Sequence, residues 1–347
     1  MKTLRQALTP DPTHKLNAPS PCAKGKFHVA IILGTYNGAA HLSEQLESLL
    51  AQSHEDWSLW AHDDGSTDNS WDILTEFAEV ARRRGKRVTL ARQQVSESKI
   101  AAQADPVGVA RAYHWLISQA EVQAAPYVAL CDQDDVWNEG RLAKGVAALA
   151  PFQSIGSAAM HSSGMTLIDD QGRDLGQTRP RSGRPTLPAK FASALARCPT
   201  NAPTLLFNAA AVQLAKAVAM PADMPTFDWW QVLLVLGCGG TLVQDRSHTV
   251  RYRQHRRNML GEVATWRGIQ RRAGLLTNGG YRRWRDSLAV GLKQAPLTPE
   301  ARQIVEAYCS APHAGIARAN HLLASDLVRP GIIGKAATIL CASTGAL

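Results

Sequence analysis

Tyr127-Val128-Ala129-Leu130-Cys131-Asp132-Gln133-Asp134-Asp135-Val136-Trp137 decides the reading of this chain. Five strand-forming residues stop at a knot of three carboxylates. The same transition stands twice upstream. His28-Val29-Ala30-Ile31-Ile32-Leu33 is a buried, β-branched run that breaks at Gly34-Thr35-Tyr36-Asn37-Gly38. Trp57-Ser58-Leu59-Trp60-Ala61-His62 alternates like a strand and breaks at Asp63-Asp64-Gly65-Ser66-Thr67-Asp68. Between the first two runs Leu42, Leu46, Leu49 and Leu50 fall at helical spacing. After the second, Ser66 or Asp68 caps a predicted helix with inner face Trp71, Leu74, Ala78 and Ala81. Cations over Arg82–Arg87 suit its C-terminus. Val88-Thr89-Leu90-Ala91 is a further strand, and Asp105-Pro106 opens a helix to about Ala120. The order β-α-β-α-β-α-β implies a parallel sheet with helices on both faces. Ligands of such sheets bind outside the carboxyl ends of the strands, where all three acidic or polar turns fall.

Beyond Trp137 the signals are coarser. Ala158–Ile168 reads as a strand, and residues 172–190, rich in Arg, Pro and Gly, as a mobile loop. Small apolar residues dominate Leu205–Leu242, interrupted by Phe227-Asp228-Trp229-Trp230. Residues 251–285 are arginine-rich, and the last 60 or so residues read as helices. With 45% apolar and 19% charged residues, wholesale disorder is excluded. The 347 residues suggest about two domains. The first 26 residues, basic and proline-rich with no apolar h-region, read as a flexible leader rather than a secretory signal. No apolar run reaches the roughly 18 residues of a membrane span. Six widely spaced cysteines without a C-x-x-C pair read as free thiols of a reducing cytosol. The net charge of +9 favours acidic partners: phosphate-bearing ligands, anionic membranes or nucleic acid.

Carboxylates crowded at one sheet edge repel each other unless a cation or hydrogen-bond donors offset the charge. A hard divalent ion does so, and Mg²⁺ or Mn²⁺ typically takes one or two carboxylates plus substrate phosphates. The D-x-D-D spacing lets one carboxylate face the metal and a neighbour face a ribose hydroxyl. Each cluster taken singly is also readable as a solvated turn, since Asp and Gly dominate turns. Three such turns closing strands in one βα series are what point to chemistry.

On these residues the chain resembles a family 2 glycosyltransferase of the GT-A fold, closest to the bacterial rhamnosyltransferase-like branch. The matching stretches are Thr35-Tyr36-Asn37-Gly38, Gln45–Leu49, Asp63–Asp68, Asp132–Trp137, Asp228-Trp229-Trp230 and Tyr252-Arg253-Gln254-His255, in family order over roughly residues 27–261. The resemblance implies an α/β GT-A domain over 27–250, with a mostly parallel central sheet flanked by helices. A basic, mainly helical region over 251–347 follows it. It implies that Thr35, Tyr36 and Asn37 line the nucleotide pocket, that Asp64 accepts from the base imide, and that Asp63 shapes the same turn. Asp132 and Asp134 resemble the pair that handles ribose and metal, with Mg²⁺ or Mn²⁺ on Asp134 and Asp135. Asp228 resembles the general base that deprotonates the acceptor hydroxyl in an inverting transfer. Arg253, Gln254 and His255 resemble the segment that closes over the diphosphate. Two departures stand out: Phe227 where the pattern has His, and Ala202-Pro203-Thr204 where it has Gly-Cys-Thr.

The implied activity is transfer of a sugar, L-rhamnose in the branch it resembles, from a dTDP- or UDP-linked donor. The acceptor is a saccharide or lipid-linked molecule in bacterial cell-surface polysaccharide synthesis. The implied place is the cytoplasm, with peripheral contact at the inner face of an anionic membrane through the arginine-rich stretch. That stretch reads equally as a solvated helix face. Trp229 and Trp230 are readable as a stacking platform for an acceptor sugar or as core, and Trp137 as packing under the acidic loop. A competing reading, motivated by Phe227 and the altered 202–204 segment, is a non-catalytic sugar-nucleotide or polysaccharide-binding relative. No nucleic-acid-binding signature, H-x-x-x-H pattern, G-x-G-x-x-G or P-loop is present, which argues against nucleic acid, zinc, dinucleotide and P-loop chemistry.

Overall fold

Strand β1 (Val29–Thr35) is buried almost throughout, and the two-residue repeat of a strand divides it between two cores. Val29, Ile31 and Leu33 join one apolar cluster, and Ala30 and Ile32 the other. A strand buried on both faces must be apolar at every position, as this one is. β2 (Trp57–Asp63) pairs with it on one side and β4 (Tyr127–Cys131) on the other, and β3 (Arg87–Arg92) lies outside β2. All three pairings are parallel. Helices α1 (Leu42–Leu50) and α2 (Ser70–Arg83) cover one face. Helix α3 (Pro106–Ile117) covers the other, followed by the short α4 (Ala120–Gln123). The βα alternation read from the sequence is therefore present. In this computed structural model the described residues are 25–93, 106–179, 189–221, 226–255, 280–312 and 315–324, with isolated positions beyond.

Past β4 the sheet stops being parallel. The full order is β3-β2-β1-β4-β8-β6-β9-β5, with β7 on β6. β8 (Leu205–Asn208) is antiparallel to both β4 and β6 (Ala159–Ile168). β9 (Thr241–Arg253) runs parallel to β6, and β5 (Val136–Trp137) pairs antiparallel with the end of β9. The mostly parallel expectation holds through β4 and gives way to a mixed sheet beyond it. This mixture brings β8's start to the edge where β1, β2 and β4 end. β6 and β9 also finish towards that edge. Residues far apart in sequence thus meet at one rim.

Three local expectations are corrected. Helix α2 starts at Ser70 with Asn69 before it, and neither Ser66 nor Asp68 occupies the cap. Asp68 still accepts from the Ser70 amide at 3.0 Å and from its hydroxyl. The inner face of α2 is Ser70, Leu74, Phe77, Ala78 and Ala81. Trp71 is only half-buried, with the Arg92 guanidinium over its ring. Within the expected mobile loop, Asp174–Arg179 forms β7, because β6 has a free edge for it. The leader up to residue 24, Asp105, residues 180–188, most of the arginine-rich stretch (256–279) and most of 331–347 lie outside the described residues.

Helix α5 (Arg141–Ser154) follows β5. α6 (Phe191–Ala196) and α7 (Ala209–Ala217) flank a 3-10 turn at Ala202–Thr204. Helix α8 (Phe227–Gly237) is buried on nearly every side, so it runs through the core rather than along the surface. Among the described residues three further helices follow: Gly280–Leu292, Pro299–Ser310 and Gly315–Ala324. Their Leu288, Leu292, Val305, Tyr308 and Leu322 belong to the same apolar cluster as Trp230 and Leu233 of α8. Among the described residues no helix is long and apolar enough to cross a membrane.

Candidate active site

The turn after β1 is built to meet the turn after β2. Asn37 has φ of +47°, the sole non-glycine residue among those described with a left-handed backbone. Asn tolerates that region because its short polar side chain bonds locally. Its Oδ1 accepts from the Thr67 amide at 2.9 Å, and its own amide donates to Ser66 Oγ at 2.9 Å. The Asp64 amide donates to Thr35 O at 2.9 Å. Asp63 is fully buried, and its Oδ1 accepts from the Ser66 amide at 3.1 Å and from the Ser66 hydroxyl. Arg92 Nε lies 3.1 Å from its Oδ2. Asp63 was expected to shape this turn and was grouped with the nucleotide-binding residues; its oxygens hold the turn from inside, and half-buried Asp64 is the one left at the rim.

The acidic loop after β4 is tied to the first turn by Gln133. Its Oε1 accepts from Thr35 Oγ1 at 2.6 Å and from the Tyr36 amide at 2.9 Å, and its Nε2 donates to Tyr36 O at 3.3 Å. Asp132 Oδ1 accepts from the hydroxyl of buried Tyr113 at 2.5 Å. Burial first, then the charge of Asp134 and in smaller part that of Asp228, pushes Asp132 up to about 7. Asp134 keeps some exposure and shares its Oδ2 with His255 Nε2 at 2.7 Å. The His255 ring stacks on His41 at 5.5 Å.

Asp135 is wholly buried. Desolvation, followed by Asp134 and Asp132, pushes its carboxyl well above the carboxylate range. Its Oδ1 accepts from the Arg253 amide at 3.0 Å, while Oδ2 has no hydrogen-bond partner among the described residues. An orphaned carboxylate oxygen among like charges suits a hard divalent cation. The residues therefore fit Mg²⁺ or Mn²⁺ chemically. No group of three or more His, Cys, Asp or Glu set to hold a metal occurs among the described residues. A cation here would take the two carboxylates and need phosphate oxygens to complete its shell.

Asp228 sits in the first turn of α8, whose N-terminal amides favour a negative charge. Desolvation nonetheless raises it to about 6, outweighing the lowering influence of the neighbouring backbone amides and of the Cys198 thiol. Phe227, in the place of the family's His, turns into the core and stacks on Tyr113 at 5.7 Å between centroids. The Ala202–Thr204 turn that departs from the pattern thus lies beside Asp228.

Four expected ligand contacts are not what the fold makes of these side chains. Trp230 is fully buried and Trp229 nearly so, with Trp229 Nε1 donating to Ala194 O at 2.7 Å. Neither ring is offered to an acceptor sugar, because α8 is a core helix. The buried Arg253 guanidinium donates to the carbonyls of Asp134 (2.9 Å), Asp169 (3.3 Å) and Asp170 (3.0 Å) and to the Glu44 carboxylate. It fastens the acidic loop instead of closing over a diphosphate. Gln254 is buried beside it. His255 is the member of that segment that reaches the acidic loop.

Sequence reasoning passed over Gln133, Tyr113 and Arg141. Arg141 is buried at the start of α5 and donates to the carbonyls of Leu130, Pro203 and Leu205 beneath the loop. Desolvation lowers it to about 10, and the nearby Cys131 and Asp135 hold it up. Its guanidinium lies 3.9 Å from the Trp137 ring centroid, and Trp137 packs under the acidic loop. A cation directly after four acids (Asp132, Asp134, Asp135, Glu139) was the available signal.

Residues 30–168 match the family model described as "Glycosyl transferase family 2". The dTDP-rhamnosyl transferase RfbG of Shigella flexneri is 25% identical over 257 residues, covering 72% of this chain and 81% of that protein. A glycosyltransferase of Nostoc sp., alr2836, is 30% identical over 149 residues, covering 43% of this chain and 40% of that one. The crystal structure of S. aureus TarS 1-349 in complex with UDP-GlcNAc superposes with a TM-score of 0.53 at 13% identity, covering 92% of this chain and 90% of that one. At that identity it speaks for the fold alone. Residues 30–168 thus resemble glycosyl transferase family 2, they are set in a GT-A-like fold, and the chain is a glycosyltransferase.

Proposed function

We propose that this chain is a metal-dependent, inverting glycosyltransferase that uses Asp228 as its general base. The observation that carries the reading is Asp228 itself: a carboxylate raised to about 6, near enough to Asp132 for its charge to be felt there, at the rim where the acidic loop ends. A base of that strength is poised near neutral pH and can contribute on the order of 10²–10⁴-fold. Asp228 takes the proton of the acceptor hydroxyl as its oxygen attacks the sugar carbon from the face opposite the leaving diphosphate. Thr35, Tyr36 and Asp64 hold the nucleotide, and Asp132 the ribose. Asp134 and Asp135 would hold Mg²⁺ or Mn²⁺, which when bound neutralises charge on the diphosphate.

Likeness to a dTDP-rhamnosyl transferase supports dTDP-L-rhamnose as the donor, with a saccharide or lipid-linked acceptor in cell-surface polysaccharide assembly. Calorimetric titration with dTDP and UDP, with and without Mn²⁺, tests the donor site. The expected result is nucleotide binding that strengthens with the cation. Asp228→Asn should bind nucleotide normally and lose transfer by at least about 10²-fold. Full turnover in that variant would remove Asp228 from the chemistry.

A further inference from the structure

Asp228 has a neighbour that this reading does not use. Cys198 lies on the stretch between α6 and the Ala202–Thr204 turn, with its Sγ 3.7 Å from Asp228 Oδ2. The same sulfur is 3.5 Å from Thr200 Oγ1 and 3.6 Å from Thr200 O. A thiol carries one proton, and an ionised carboxylate only accepts. Thr200 O and Asp228 Oδ2 compete for that proton, and the ionised carboxylate is the stronger acceptor, so the order that serves the charge is Thr200 Oγ1–H to Sγ and Sγ–H to Asp228 Oδ2. Thr200 is buried and Cys198 half-buried, so water competes weakly for either bond. Burial, then the charge of Asp228, pushes the thiol well above its ordinary range, so it stays protonated and remains a donor. Phe227, next to Asp228 in the chain, offers nothing polar.

We propose that Cys198 is a positioning residue for Asp228: its thiol, oriented by Thr200, donates to Oδ2 and fixes which carboxylate oxygen meets the acceptor hydroxyl. This rests on Asp228 being the base. The other titratable groups that face Asp228 among the described residues are Asp132 at the end of β4 and Tyr252 on β9, and both are left intact by changes at Cys198.

The test is to titrate the full chain labelled with ¹³C at aspartate carboxyls, with the Asp228 resonance identified as the one lost in D228N. Removing a donor to the charged form raises a carboxyl midpoint. In C198A the Asp228 midpoint should rise by about half a pH unit, and C198S, whose hydroxyl also donates, should return it to the wild-type value or below. Release of dTDP from dTDP-L-rhamnose with Mn²⁺ should show kcat falling on the order of threefold or more in C198A, with KM unchanged and C198S rescued. An unshifted midpoint in C198A, or a C198S indistinguishable from C198A, overturns the positioning role. Full turnover in D228N overturns the base reading instead, and the two failures are separable because the midpoint is read without turnover.

Discussion

Carboxylates in this protein differ by what surrounds each one. Asp63 is an internal fastener for a turn, Asp134 is shared with His255, and Asp135 is buried with one oxygen unmatched among the described residues. Asp228 sits at the start of a buried helix whose amides favour its charge, yet desolvation outweighs them. Its raised midpoint sets a pH dependence with a definite sign. The base works only when ionised, so kcat/KM for transfer should climb as pH rises through about 6 and level off towards about pH 8. A pH–rate profile measured at saturating cation checks this, and a profile that falls over that interval would contradict it. The spacing marked these aspartates as a set, and the different roles of Asp63 and Asp64 came from the family resemblance alone. Both are Asp at a strand end, and in the structure Asp63 is buried while Asp64 is half-buried.

At the scale of elements, the site is held by cross-links between loops rather than within them. Gln133 ties the loop after β4 to the turn after β1. Arg253 ties the same loop to the β6–β7 turn and to α1. Gly38 lies against the first tie, since a Cβ there would fall 2.3 Å from Gln133 Oε1. Gly38→Ala should displace Gln133 and weaken dTDP binding on the order of tenfold or more, about 1.4 kcal/mol. The fold should stay intact, and calorimetry beside a thermal melt checks both. Arg253→Ala should act differently: loss of a buried, multiply bonded cation should cost on the order of 3 kcal/mol in a denaturant melt. Tyr252-Arg253-Gln254-His255 was legible as a functional segment, but its division of labour was not. β9 is threaded between β6 and β5, which turns Arg253 inward and leaves His255 at the rim.

For the whole molecule, stability and function pull against each other at the acidic rim. Asp132 and Asp228 have folded midpoints of about 7 and about 6, above the ordinary carboxyl value of 3.8. Groups raised in the folded state contribute stability below the unfolded midpoint and lose it as pH rises through the folded one. The metal-free chain should therefore melt at lower temperature at pH 8 than at about pH 5. Asp132→Asn should flatten that slope. Mn²⁺ with dTDP should raise the melting temperature at the higher pH, because anything bound only to the folded state stabilises it. The same core that holds α8 includes the three C-terminal helices. Leu292→Ala should cost about 2–4 kcal/mol and shift the far-UV and tryptophan-fluorescence transitions together. Two separated transitions would mean that those helices fold on their own.

The sequence by itself determined the βα series through β4, the two-faced burial of its strands and the edge on which the acidic turns lie. Those features follow from local periodicity and from short connections, which fix strand direction and polarity. Only the tertiary structure decided the mixed order beyond β4 and the capture of residues 174–179 as a strand. It likewise turned Trp229, Trp230 and Arg253 inward and brought Cys198 and Ala202 to Asp228. Each of these depends on which distant segment fills a given flank of the sheet, and one-dimensional spacing carries no record of that choice.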